Sequence, residues 1–244
     1  MGYNMLNKLD KILLNDNTTQ NFYEAYKDEK FKKWLLNILP EVEDCRTLAQ
    51  DNPWHIYNCL DHILHAVEEI NKQTKNLNDN TRKMLAYTMF LHDIGKPQCV
   101  VRRFSKLYNR EVDSFFDHNK ASAKIAGRVL GDFGFNKNER DIIQALVEDH
   151  DIFMYITLTD DHNRFHKVLT QDLLFEHVSR LDKHGDGKIL MQYLTMVGKA
   201  DNMAQNPQMT QNSLKLINTM QDMIQNIPSI EGELIELKKQ NKKE

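Results

Sequence analysis

Glycine and proline are scarce in this chain, nine and five residues out of 244. Both interrupt regular structure, so long periodic segments without them favour helices over short strands joined by tight turns. Asn-Gly is absent, and the single Asp-Gly, Asp186-Gly187, is followed by a helical pattern, so the usual hairpin signal is missing. No apolar run reaches the roughly 18 residues that a membrane-spanning helix needs. The three cysteines, Cys45, Cys59 and Cys99, form no CxxC pair, and an odd number cannot close into a full disulfide set. With no apolar leader at the start, the expected setting is a reducing cytoplasm. The Ser or Thr of a myristoylation motif is also missing, because Leu6 stands in its place. Charge is nearly balanced, with a net −3 and a pI of about 6.4, so nothing global marks a nucleic-acid or membrane surface. There is no repeat of 20–50 residues, no Walker A, no GxGxxG and no GxSxG.

What is present is an ordinary globular composition, 41% hydrophobic and 27% charged, arranged with helical periodicity. The predicted architecture is all-α. The first fifty residues read as short helices, with Phe31, Trp34, Leu35 and Ile38 on one face and Pro40 as a stop. A helix over 57–72 carries Leu60, Leu64, Val67 and Ile70 or Asn71 on its face. The next opens at the capping residues Asp79-Asn80-Thr81 and is apolar almost all round from Met84 to Leu91, the pattern of a helix buried on most sides. Residues 98–117 read as a loop bearing the basic residues Arg102, Arg103 and Lys106. A helix follows over 118–130. Asn136 with Glu139 forms a capping-box pattern that opens a helix ending near His150. Residues 151–164 read as irregular, 165–181 and 187–204 as helices, and the last forty residues as amphipathic helix with a frayed Lys-rich tail.

The informative feature is a set of ionisable residues where burial is expected. His92 and Asp93 end the most apolar helix. Asp201 continues a buried face with Leu190, Leu194 and Val197. An isolated carboxylate on such a face is costly, and a bound cation offsets that cost because carboxylate and imidazole are its natural ligands. His62 lies on an earlier helix with His55 and His65 near it, and periodicity alone does not choose among the three. His118 starts one helix and His150 ends another, so both offer further nitrogen ligands from separate helices. The segment Asp182–Gly187 hints at a calcium loop, but its twelfth position is Tyr193, which reduces it to a turn between helices.

In order, His62, His92-Asp93 and Asp201 resemble the H…HD…D signature of the HD superfamily of metal-dependent phosphohydrolases. The string His92-Asp93-Ile94-Gly95-Lys96-Pro97 is similar to the HDIGK form of its central motif. Asp61-His62, Phe116-Asp117-His118-Asn119, Leu146-Val147 with His150, and Ala200-Asp201-Asn202 look most like the HD domain attached to bacterial tRNA nucleotidyltransferases. The resemblance covers about residues 52–206, which makes 1–51 and 207–244 helical extensions of an HD domain. It implies His62, His92, Asp93 and Asp201 as ligands of one divalent metal, with His118 and His150 either holding a second metal bridged by Asp93 or contacting the substrate beside a single metal. Mn, Fe, Co, Ni, Zn and Mg all remain open as the metal. The chain departs from the alarmone hydrolases, since residues 94–97 read Ile-Gly-Lys-Pro where those enzymes carry a Glu-Asp pair. It also lacks the Gly-Tyr-Pro segment of cyclic-di-GMP phosphodiesterases. No nucleotidyltransferase domain fits before Asn52, so the expectation is a stand-alone HD domain.

The implied reaction is hydrolysis of a phosphomonoester or phosphodiester in a nucleotide or RNA end, by water activated on the metal. Asp93 would position the nucleophile. Lys96, one turn after His92, is either a contact to a phosphate oxygen or a solvated lysine in a turn. Arg102 and Arg103, with Lys106, either bind a second phosphate or belong to a solvated loop. A non-catalytic nucleotide-binding module and a deoxynucleotide 5′-phosphohydrolase are the competing readings. A small-molecule or RNA-end substrate and no membrane partner complete the expectations, and the terminal segments either cover the bundle or form a homodimer contact.

Overall fold

The computed structural model describes residues 2–227. The chain is mostly helical, with two small sheets. Four short helices come first: α1 (Gly2–Leu13), α2 (Thr18–Tyr26), α3 (Glu29–Ile38) and α4 (Glu41–Thr47). The central helices are α5 (Cys59–Gln73) and α6 (Asp79–Leu91), followed by the single turn α7 (Lys96–Cys99). A hairpin of β1 (Val100–Ser105) and β2 (Arg110–Phe115) leads into α8 (His118–Val129) and α9 (Lys137–Asp149). A 3-10 turn (Ile152–Tyr155) and the two-residue strands β3 (Ile156–Thr157) and β4 (Lys167–Val168) precede α10 (Gln171–Leu181), α11 (Gly187–Met203) and α12 (Pro207–Gln225). The expected Lys-rich tail falls beyond the described residues.

The helices start where side chains satisfy their free N–H groups. The Asn58 side chain accepts from the Asp61 N–H to open α5, Asn78 does the same for α6 through Thr81, and Asp186 for α11 through Ile189. The capping box at Asn136 and Glu139 is present in both directions. Asp182 Oδ1 accepts from the Gly187 N–H at 2.8 Å, so the acidic turn before α11 is occupied with capping.

α5 packs between α6 and α11, α9 lies against α6 and α8, and α12 covers α11. From Met84 to Leu91 every residue of α6 is buried, as its all-round apolar character requires. One hydrophobic core runs from Leu9 and Phe22 through Leu64, Phe90, Leu146 and Leu194 to Ile224, so α1–α4 and α12 bury their apolar faces in the same cluster as the central helices. Among the described residues, no helix is long and apolar enough to cross a membrane.

Two expectations are corrected. Residues 98–117 are not a loop: β1 and β2 pair antiparallel from Val100↔Phe115 to Ser105↔Arg110. The run Val-Val-Arg-Arg-Phe does not alternate. The turn also carries no glycine, and Asn109 supplies the left-handed residue (φ 48°) that Gly usually provides. The helix expected over 165–181 begins only at Gln171, where the Thr170 hydroxyl accepts from the Leu173 N–H; ahead of it Lys167 and Val168 pair in parallel with Ile156 and Thr157.

Candidate metal centre

Six ionisable side chains from five helices or helix ends converge at the centre of the bundle. His62 sits on the first turn of α5, His92 and Asp93 directly after α6, His118 at the first position of α8, His150 directly after α9, and Asp201 near the end of α11. Four of the six are at most 2% exposed; His118 and Asp201 form the more open side of the cluster, with side-chain exposures of 11% and 13%.

Each imidazole is aimed by the same device. His92 Nδ1 donates to the Met89 carbonyl at 2.6 Å, His118 Nδ1 to Phe115 at 2.7 Å and His150 Nδ1 to Val147 at 2.7 Å, in every case three residues back. For His92 and His150 the acceptor is a carbonyl in the last turn of the preceding helix, where the chain leaves oxygens without a helical partner. His62 Nδ1 donates to the Ala204 carbonyl at 3.2 Å, which ties α5 to the end of α11. With Nδ1 carrying the proton, all four rings present an Nε2 lone pair to the centre.

Those lone pairs face one another. His62 Nε2 lies 3.2 Å from His92 Nε2, and His118 Nε2 lies 3.2 Å from His150 Nε2. The Asp93 carboxylate stands between the pairs. Its Oδ2 is 3.1 Å from His62 and 3.3 Å from His92; its Oδ1 is 3.1 Å from His118 and 3.6 Å from His150. Asp201 Oδ1 is 3.0 Å from His62 and 3.6 Å from His92. Both Asp93 oxygens are buried; Oδ2 also meets the Lys96 ammonium, whereas among the described residues Oδ1 faces only the His118 and His150 rings. Acceptors packed against acceptors at these distances repel, and two largely buried carboxylates against a single ammonium leave a costly excess of negative charge. Divalent cations remove both penalties at once. The donors sort into His62, His92, Asp93 and Asp201 on one side and Asp93, His118 and His150 on the other, and each group lies within the span of one ion's ligands. The buried His/Asp cluster can therefore hold metal, and its mixed N/O donors suit Mn, Fe, Co, Ni or Zn and permit Mg.

Without a cation, protons would take its place. Burial works against a charged His92, but Asp93 and Asp201 outweigh it and push the ring up to about 9. Burial opposes charge at His62 and His150 in the same way, and the same carboxylates, Asp93 and Asp201 for His62 and Asp93 for His150, raise both. Burial alone would raise Asp93 and Asp201, but the surrounding imidazoles, joined at Asp93 by Lys96, hold both carboxyls well below their usual range.

The other residues singled out in the sequence take distinct places. Lys96 is not solvated: it is 4% exposed, and its Nζ lies 2.5 Å from Asp93 Oδ2, 2.9 Å from Gln50 Oε1 and 3.0 Å from His55 Nε2. Of the three upstream histidines, His62 enters the centre and His55 braces Lys96. His65 turns away to Glu68 at 3.0 Å. Arg102 is engaged by Asp51 (2.6 Å) and Asp113 (2.9 Å), which pins the hairpin to the chain before α5. Arg103 makes no ion pair among the described residues and lies over the exposed ring of Phe116 at 4.8 Å, two residues before His118. Lys106 is exposed near the hairpin tip.

Several supporting groups carried no signal in the sequence. The Cys59 and Cys45 thiols sit 3.6 and 3.7 Å from the Asp93 and Ile94 carbonyls and hold the backbone of the His-Asp turn. Gln50 is buried with a left-handed backbone (φ 56°), which places its side chain against Lys96. Ser122 accepts from the Gly95 N–H at 2.9 Å, and a Cβ at Gly95 would fall 2.5 Å from the Ser122 nitrogen. The glycine after His92-Asp93 is thus the contact that lets α8, with His118, approach the other ligands.

No protein-family model matches the chain. It is similar to part of the DNA-directed RNA polymerase subunit beta' of Rhodopirellula baltica, at 27% identity over 132 residues, which cover 50% of this chain and 9% of that protein. The chain spans only a small fraction of that relative's length. A helical chain with a buried His/Asp cluster able to hold metal is compatible with an HD-like domain.

Proposed function

We propose that this chain is a metal-dependent phosphohydrolase of the HD type, with His62, His92, Asp93 and Asp201 holding one divalent metal and Asp93, His118 and His150 a second. The observation that carries the reading is the opposition of lone pairs. Two Nε2 atoms meet two others at 3.2 Å around a buried carboxylate whose one fixed cation among the described residues is Lys96, and each of the four Nδ1 atoms is already committed to a carbonyl. Divalent cations held by these residues would supply hydroxide at neutral pH, by lowering the pKa of coordinated water, and would neutralise charge developing on phosphoryl oxygens.

The residues divide the remaining work. The Nδ1–H bonds fix ring orientation, so little reorganisation accompanies the reaction. Asp93, shared by both donor groups, would orient the attacking water through its carboxylate. Lys96, held on Asp93 by Gln50 and His55, keeps that carboxylate ionised and oriented. Arg103, exposed beside Phe116, would be the guanidinium of the basic run available to a substrate phosphate. The substrate class is a phosphomonoester or phosphodiester of a nucleotide or an RNA end.

Purified protein loaded with Mn, Co or Ni should hydrolyse an aryl phosphate or a 2′,3′-cyclic nucleotide. The double variant His92→Ala/Asp93→Ala should lose that activity and its bound metal while keeping its helical circular dichroism. Activity that survives in the double variant removes the centre from the reaction. Tight nucleotide binding without turnover under all three metals would make the chain a binding module, and a panel that includes deoxynucleotides would separate 5′-hydrolysis from phosphodiester cleavage.

A further inference from the structure

Electrostatic balance in the buried centre carries one step beyond that reading, on which it rests. With the four imidazoles neutral, two carboxylates and the Lys96 ammonium leave the cluster at a net charge of −1. One dication brings it to +1 and a second to +3, in surroundings where unbalanced charge is far more costly than in water. Lys96 has nowhere else to go. Its Nζ is fixed by Asp93, Gln50 and His55, and the side chain is 5% exposed. His55 Nδ1 faces Asn52 Oδ1 at 2.8 Å, so its Nε2 is the acceptor for the ammonium and adds no negative charge. Gln50 in turn donates to the Tyr57 carbonyl, which holds its oxygen toward the lysine. Asp151, whose charge reaches His150, lies outside the donor set and is partly exposed, so solvent screens it.

The two donor groups are also unequal. The first has four protein donors, enough to close a coordination sphere. The second has three, which leaves positions for outside ligands. We propose that Lys96 is a resident cation that makes the second site, Asp93–His118–His150, conditional on an oxyanion. A phosphate-class anion enters together with the second dication, and the centre holds a single metal in its absence.

Equilibrium dialysis and calorimetric titration of the full chain with Co(II), with and without inorganic phosphate, test this without relying on turnover. The expected result is one cobalt per chain without phosphate and two with it, the second constant tightening by about tenfold or more. In Lys96→Met, of similar length but uncharged, the second cobalt should bind about tenfold more tightly without phosphate and respond less to its addition. Lys96→Arg should keep the phosphate dependence. Two cobalts of similar affinity in phosphate-free buffer would overturn the inference. A single cobalt under both conditions, or a Lys96→Met variant with unchanged phosphate dependence, would do so too, while leaving the metal centre standing. A chain that binds no cobalt in either buffer removes the metal-centre reading itself. Should Lys96→Met fail to fold, the wild-type comparison with and without phosphate still decides.

Discussion

Replacing Gly95 with alanine places a methyl group 2.5 Å from the Ser122 nitrogen and 2.8 Å from the backbone carbon and Cβ of Ala121. Non-bonded carbon contacts settle at about 3.5–4.0 Å, so α7 and α8 must part by roughly 1 Å. Overpacking of this kind costs about 1–3 kcal/mol. Loss of the 2.9 Å bond from the Gly95 N–H to Ser122 Oγ adds roughly 1 kcal/mol. Together these give about 2–4 kcal/mol, a fall in Tm of roughly 5–15 °C for a chain of this size. The damage should also be directional. α8 carries His118, whereas His62 and Asp201 stand on α5 and α11, so the variant should lose metal from the Asp93–His118–His150 group first. Thermal melts by circular dichroism, paired with metal analysis of protein saturated with Co(II) and phosphate, measure both effects. A variant that melts within about 2 °C of the parent and keeps the parent's metal content would refute the claim that Gly95 sets the approach of α8.

Further outcomes follow from the same geometry. His92 is raised from 6.5 to about 9 in the metal-free fold, so it stabilises that fold fully below pH 6.5 and loses this contribution as pH rises toward 9; melts of chelated protein should fall across that window, and metal-loaded protein should not follow. Because metal displaces those protons, calorimetric titration at pH 7–8 in buffers of different ionisation enthalpy should show proton release, and none would contradict the pairing of His92 with Asp93 and Asp201. Asp201→Asn removes one of four donors from the first group and should weaken metal binding by at least about tenfold, read by competition with a chelating dye, with helicity unchanged. Arg103→Ala should raise KM for a polyanionic substrate while leaving Tm within about 0.5 kcal/mol equivalent, whereas Arg102→Ala should loosen the hairpin from Asp51, read as faster hydrogen exchange over β1 and β2.

Much of this protein is written in local patterns. Scarce glycine and proline, apolar residues at helical spacing and Asn or Asp at the starts of segments determined a mostly helical chain, because a helix closes its hydrogen bonds within a few residues of sequence. The same locality made His92-Asp93 conspicuous at the end of the buried α6, and it aims three of the four imidazoles through carbonyls only three residues upstream. The hairpin was hidden because Val100–Phe104 does not alternate and Asn109 took the place of a turn glycine. Tertiary packing alone decided the rest. His62 rather than His55 or His65 reaches the centre because α11 brings the Ala204 carbonyl to its Nδ1. Lys96 is a buried partner of Asp93 because Gln50 and His55, distant in sequence, close over it. A repulsion between lone pairs 3.2 Å apart has no trace in any one segment; it exists only once five chain segments have been folded onto the same point.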